Sequence, residues 1–270
     1  MDAASVLERF VREDLAGGDP TGELLPDVRI RAEVVARRRG VVSGTRHAAA
    51  IFGMRQCDTS IVVPDGDVVE AGGAVMGVRG RAADVLALER TALNLLSRMS
   101  GIATMSRDLA SRLPPGVRLL STRKTAPGLR EFDKEAVEAG GGFRHRMGLG
   151  DMIMIKDNHI AAAGSLDGLV REAVRRGGRF EVEVDAPADA LRAARLGAPV
   201  IMLDNFTPDM IQETVRALEA GGLRGAVDLE ASGGITLENI AEYGRSGADC
   251  VSVGYMTNSA PCLDMGLDVR

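Results

Sequence analysis

Tryptophan is absent from this 270-residue chain, tyrosine occurs twice, and cysteine, histidine and lysine occur three times each. Cys57, Cys250 and Cys262 are too few and too scattered for a disulfide framework, and no CxxC or Cys/His spacing points to a structural metal. This scarcity fits a reducing intracellular setting. No apolar run nears the ~18 residues that a membrane span requires. The N-terminal MDAASVLERFVREDL is acidic and amphipathic, where a secretory signal is basic and then apolar. A cytoplasmic protein without membrane attachment is expected. The formal charge of −5 lacks the basic excess that nucleic-acid binding brings. The isolated triplet Arg37 to Arg39 reads as a solvated turn.

What is present describes a globular protein, with 45% hydrophobic and 26% charged residues. Up to about residue 103 the elements are mixed. SVLERFVREDL has helical spacing, VRIRAEVVARR alternates as a strand does, TRHAAAIFGMRQC is a short helix, and residues 60–82 read as short strands between turns. Residues 82–113 are helical, with a break expected at Ser100 to Thr104. Beyond Pro114 six apolar runs recur, VRLL, MIMI, FEVEV, VIML, AVDLE and CVSV, and helix-type segments separate the last four. Buried strands alternating with helices describe βα units around a parallel sheet. An α/β barrel of six or seven strands is favoured over an open doubly wound sheet. The expected boundaries are residues 1–103, completed by 255–270, for an N-terminal α+β domain, and 104–254 for the barrel.

In a parallel barrel the carboxyl ends of all strands share one face, where chemistry sits. That rule would gather Arg123 and Lys124, Lys156, Glu183, Asp204, Ser232 with Gly233 and Gly234, and Gly254 at one mouth. GGGFRHRM adds Arg144, His145 and Arg146 behind three glycines, and EASGGI resembles a phosphate loop opening a helix from about Thr236. Glu183 and Asp204, on neighbouring strands, could hold Mg²⁺, accept from a ribose diol, or form salt bridges with arginines. Lysines and arginines at one rim imply substrates rich in phosphate and carboxylate. Lys134, on a helix with Glu131 and Glu138 at helical spacing, reads instead as an exposed ion pair. His159 reads as a strand-end cap, His47 as a helix-start residue, and the methionines of DMIMI as core packing.

EDLAGGDPTGELL, ERTALNLLSRMSGIAT, TRKTAPGLR, GGGFRHRMGLGDMIMIKDNHI, EVEVD, IMLDNF, EASGGI and SVGYMTNSAPCLDMGLD follow one another in an order that resembles the quinolinate phosphoribosyltransferase family over essentially the whole chain. The resemblance implies an N-terminal α/β sandwich domain and an incomplete α/β barrel. It also implies a homodimer, in some members built into larger assemblies, whose site is shared between subunits. It assigns Arg123, His145, Arg146 and Lys156 to quinolinate, with Arg90 reaching the same ligand from the neighbouring subunit. Phosphoribosyl pyrophosphate would be held by Lys124, Glu183, Asp204, Ser232, Gly233, Gly234, Gly254 and Asn258, and Mg²⁺ by Glu183 and Asp204. Lys124, Lys156, Glu183 and Asp204 would carry the catalysis.

Three departures from the family pattern stand out. Asn258 follows Thr257 where many members have histidine, Asp157 replaces the commoner Glu in KDNH, and Gly22 stands where a second Thr is frequent. None removes a cationic ligand. Two rival readings remain, a paralogue associated with molybdate transport and a catalytically silent ligand sensor on the same scaffold. The intact KDNHI and the retained lysines favour the quinolinate branch.

Overall fold

A computed structural model describes residues 3–270. The chain divides into two compact units. One takes residues up to 107, 132–141 and 259–270, and the other takes 108–131 and 142–258.

The first unit begins with α1 (Ala3–Leu15), whose amphipathic pattern buries Val6 and Leu7. There follow β1 (Arg29–Ala36), β2 (Gly40–Val41), α2 (Thr45–Gly53), β3 (Asp58–Ile61), β4 (Val68–Val69), β5 (Ala74–Arg81) and α3 (Ala82–Ala110). Strand β5 pairs antiparallel with β1 on one side and β3 on the other, with a register shift at Val34/Val35. Strands β2 and β4 form a separate antiparallel pair.

Helix α3 runs unbroken for 29 residues, so the break expected at Ser100 to Thr104 is absent. The two hydroxyl residues of that stretch spend their hydrogen bonds on neighbours. The Ser100 hydroxyl accepts from the Ser43 amide at 3.0 Å and donates to the Ser43 carbonyl at 3.2 Å. Thr104 Oγ1 donates to the Ser100 carbonyl at 2.7 Å and accepts from the Val41 amide. Gly101 allows close packing: a Cβ there would lie 2.1 Å from the Pro261 carbonyl oxygen.

Helix α4 (Arg130–Ala139) contributes Phe132, whose ring meets His47 edge-on at 4.9 Å. His47 is the third residue of α2 and is buried, with Nε2 3.0 Å from Glu135 Oε2. Asp133 and Lys134 are both fully buried, and Arg98 grips Asp133 through two hydrogen bonds of 2.8 and 2.9 Å. The solvent exposure expected for Lys134 is therefore wrong. Charges at helical spacing reveal the period of a helix but not which face is covered.

In the second unit β6 (Arg118–Leu120), β7 (Ile153–Ile155), β8 (Phe180–Val184), β9 (Val200–Asp204), β10 (Asp228–Ser232) and β11 (Cys250–Ser252) form one parallel sheet in the order β6-β11-β10-β9-β8-β7. Near-continuous burial along β8 to β11 is what a parallel sheet covered on both faces demands. Among the described residues β6 and β7 do not pair, so the α/β barrel is incomplete; only Phe143 bridges Leu120 at that edge. The intervening helices are α5 (Asp157–Ala163), α6 (Leu166–Arg176), α7 (Pro187–Arg195), α8 (Pro208–Ala220), α9 (Ile240–Gly244) and α10 (Tyr255–Asn258). Local chemistry sets their starts. Ser165 accepts from the Gly168 amide ahead of α6, and Thr207 accepts from Met210 ahead of α8, with Pro208 at the first helical position. The chain then returns to the first unit, where β12 (Met265–Val269) pairs antiparallel with β1. No described helix is long and apolar enough to cross a membrane.

Candidate active site

A cavity of about 390 Å³ opens at the carboxyl ends of the parallel strands. Arg123 and Lys124 border it beyond β6, His145 and Arg146 border it ahead of β7, and Lys156 borders it beyond β7. Glu183 of β8, Asp204 of β9 and Ser232 of β10 border it as well. Two of the three lysines thus share one space. Arg144, grouped with these cations in the sequence reading, pairs instead with Glu131 at 2.7 Å. Met154, expected only as core packing, borders the cavity and accepts from Arg146 Nη2.

The cations are under electrostatic tension. Burial, and then the neighbouring Arg123 guanidinium, lower the Arg146 pKa. Arg123 Nε is buried without a hydrogen-bond partner. An anion between the two guanidinium groups would relieve their repulsion and satisfy that donor. Lys156 makes an ion pair with Glu183 Oε2. Its backbone amide donates to His159 Nδ1 at 3.0 Å, so His159 acts as the expected cap at the start of α5. Asp204 accepts from the Asn205 side-chain amide at 2.7 Å.

Beyond β10 the chain turns through Gly233 and Gly234 at φ 93° and 60°. The helix expected from about Thr236 begins only at Ile240 and is five residues long. Asn239 explains the delay, because its side chain accepts from the Thr236 amide and donates to the Gly234 carbonyl, holding the intervening residues in a loop. Phosphate binding by a helix start is not available here, and the glycine amides are left to serve. A Cβ on Gly233 would sit 2.3 Å from Asn205 Oδ1 in addition to the left-handed strain. Gly233→Ala is expected to cost ~1–3 kcal/mol of stability and to weaken binding of a phosphate-bearing ligand. Thermal unfolding together with ligand titration checks this, and an unchanged melting temperature would contradict it.

Gly254 packs against Lys124, where a Cβ would meet the lysine Cδ at 2.8 Å. Thr257 Oγ1 donates to the Lys124 carbonyl at 2.9 Å, which orders the segment carrying that lysine. Asn258 closes α10, its amide donating to the Gly254 carbonyl. Arg90 lies on α3 with its side chain two-thirds exposed, beside Glu89.

Two residues escaped the sequence reading, Glu181 and Glu230. Both are buried, and His145 Nε2 lies 3.3 Å from one carboxylate and 3.4 Å from the other. Burial alone would lower the His145 pKa; the two glutamates outweigh it and raise it to about 9. Burial, with Glu230 adding to it, pushes the Glu181 carboxyl up. The signal was available in FEVEV, since period-2 alternation places Glu181 on the same strand face as Glu183.

A parallel, incomplete α/β barrel with a cation-lined cavity at its carboxyl face defines an enzyme that brings anionic substrates together. Family models sharpen this. Residues 102–268 match the quinolinate phosphoribosyl transferase C-terminal domain, and residues 19–100 match the N-terminal domain. A protein of Methanothermobacter thermautotrophicus described as a probable nicotinate-nucleotide pyrophosphorylase (carboxylating) is 42% identical over 275 residues, covering 98% of both chains. The Homo sapiens nicotinate-nucleotide pyrophosphorylase (carboxylating) is 36% identical, covering 98% of this chain and 90% of its own. The crystal structure of nicotinate-nucleotide pyrophosphorylase from Ehrlichia chaffeensis superposes with a TM-score of 0.94 at 30% identity, covering 100% and 99% of the two chains. The chain belongs to the quinolinate phosphoribosyltransferase family.

Proposed function

We propose that the chain transfers the phosphoribosyl group of phosphoribosyl pyrophosphate to quinolinate with loss of one carboxylate. The products are nicotinate mononucleotide, pyrophosphate and carbon dioxide, in NAD biosynthesis. The observation that carries this reading is the single cavity where Arg123, Lys124, Arg146 and Lys156 converge, with an unpaired guanidinium donor among them. A dicarboxylate and a polyphosphate repel each other, and only a cationic enclosure holds both in an acidic protein.

The pyridine nitrogen attacks C1 of the ribose with its own lone pair, so no general base is needed. The C1–oxygen bond breaks, and pyrophosphate leaves with the electron pair. The positive charge on the quaternised nitrogen then stabilises the electron pair left on the adjacent ring carbon as carbon dioxide departs, and a proton bonds to that carbon. Lys124 supports the negative charge on the leaving group, while Arg123, Arg146 and Lys156 fix the diacid.

Glu183 and Asp204 fit Mg²⁺ as hard oxygen donors on adjacent strands of the cavity wall. The ion favours one or two carboxylates together with substrate phosphates. When bound, it would neutralise charge developing on pyrophosphate. The ion pairs these carboxylates were alternatively expected to make with arginine are replaced by Lys156 on Glu183 and the Asn205 amide on Asp204.

Arg90 serves the site of a second copy in a homodimer. The exposure of its side chain on α3 supports that role. Arg90→Ala is expected to weaken quinolinate by ten- to a hundredfold, the ~1.5–3 kcal/mol of a charged hydrogen bond, with little change in kcat. Wild-type affinity in isothermal titration would end the shared-site reading. For the reaction as a whole, pyrophosphate release with quinolinate and with nicotinate as acceptors is decisive. Release with quinolinate alone is expected, and release with neither would leave a ligand sensor.

A further inference from the structure

His145, Arg146 and Glu230 border a second cavity as well, of about 340 Å³, at the amino ends of the strands. His145 and Glu230 therefore stand between that space and the active-site cavity, and Glu181 borders the second cavity beside them. The cluster is built from distant parts of the chain. Glu181 comes from β8 and Glu230 from β10, while His145 comes from a segment tied to β6 by Ser121, whose amide donates to the Phe143 carbonyl and whose hydroxyl donates to the Arg144 carbonyl. His145 itself adopts φ 52°, a left-handed conformation uncommon for a residue with a side chain. Glu181 Oε1 and Oε2 and Glu230 Oε1 are buried without hydrogen-bond partners. Two carboxylates placed so deeply need a compensating charge, and the imidazole is the group at ion-pair distance from both.

Ring chemistry turns this into a statement about substrate. Nε2 faces the two carboxylates and is the nitrogen that carries a proton toward them. In a neutral ring Nδ1 would then be a bare lone pair, which repels a carboxylate ligand. Only the imidazolium has a donor on both nitrogens. We propose that Glu181 and Glu230 are positioning residues that hold His145 as a cationic hydrogen-bond donor to the quinolinate dianion, an inference that rests on the quinolinate reading above.

Other charged groups around the ring set the background. Arg146 follows it in sequence, and Arg123 shares the active-site cavity. On the far side Arg118, Arg179 and Asp228 line the second cavity. Cys250 of β11 lies with its Sγ 3.9 Å from Glu230 Oε2, and burial keeps it a neutral thiol by raising its pKa. Burial opposes a positive histidine, so the two glutamates are needed to maintain it.

With three histidines in the chain, imidazole NMR resolves His145 once His47 and His159 are assigned by substitution. Its signals in the wild type should stay those of the imidazolium through pH 8, consistent with a pKa of about 9. In Glu230→Gln the midpoint should fall toward the ordinary histidine range. Quinolinate affinity by calorimetry should then drop about tenfold or more at pH 8 and stay within about twofold at pH 6, since only the protonated fraction binds. Glu181→Gln should behave alike if Glu230→Gln does not fold. An equal loss at both pH values marks a merely structural role and overturns the proposal, as does a wild-type midpoint at the ordinary histidine value. The same three side chains have ligand atoms within 4.8 Å of one another. A stoichiometric divalent metal in the purified enzyme, lost in Glu230→Gln, would likewise overturn it in favour of a metal site. No quinolinate binding at any pH, with the high midpoint intact, would instead overturn the reaction reading and the ligand with it, leaving only the histidine–glutamate coupling.

Discussion

Lys124→Ala is expected to lower kcat by about a hundredfold to a thousandfold while leaving quinolinate affinity within about twofold. The magnitude is that of removing one fixed electrostatic partner from a developing anion, ~2.7–4 kcal/mol. The structure shows how the ammonium is preorganised. Its backbone carbonyl is held by Thr257, its amide accepts no freedom because it donates to Thr122 Oγ1 at 3.1 Å, and its stem lies against the bare Cα of Gly254. Quinolinate affinity is spared because Arg123, Arg146 and Lys156 remain in place on the same cavity. Single-turnover kinetics and quinolinate calorimetry on the same variant separate the two effects. Unchanged turnover would defeat the leaving-group role, and lost quinolinate binding would move Lys124 to the other substrate.

That assignment rests on residues whose meeting is legible in the sequence. Strand ends in a parallel barrel converge, so Arg123, Lys124, Lys156, Glu183, Asp204 and Ser232 could be gathered from apolar runs and the residues after them. What the runs did not reveal was depth. Glu181 and Glu183 share a strand face, yet Glu181 is fully buried against the second cavity while Glu183 borders the active-site cavity, and alternation is identical for both. Glu230, likewise, is hidden in a strand whose visible feature was the following Ser-Gly-Gly.

The misread segments share a cause. Ser100 to Thr104 looks like a helix break because polar and small residues usually end helices, but here their hydroxyls and the missing Cβ are used by chain distant in sequence. Lys134 looks solvated because its charge pattern is that of a free helix, and only tertiary packing buries it. The loop after Gly234 looks like a helix start, and one asparagine side chain postpones the helix. In each case a long-range or side-chain contact overrides a local preference that was read correctly.

Lys156→Ala should produce the second large effect, now on binding. In the structure its ammonium is engaged by Glu183 of the neighbouring strand, so quinolinate must draw the lysine from that carboxylate, or share it. Removing the lysine deletes a ligand and also leaves the Glu183 charge facing a dianion with nothing between. A loss of about a hundredfold in quinolinate affinity, ~2.7 kcal/mol, is expected from the two effects together. Glu183→Gln separates them. Alone it should bind quinolinate at least as tightly as the wild type, because the ammonium is released to the ligand, and yet turn over poorly because a carboxylate on the phosphoribosyl side is gone. Combined with Lys156→Ala it should recover about tenfold of the lost affinity without recovering turnover, a coupling that a double-mutant cycle measures directly. If the double variant binds no better than Lys156→Ala, the two side chains act independently, and the lysine's part in holding the diacid cannot run through Glu183.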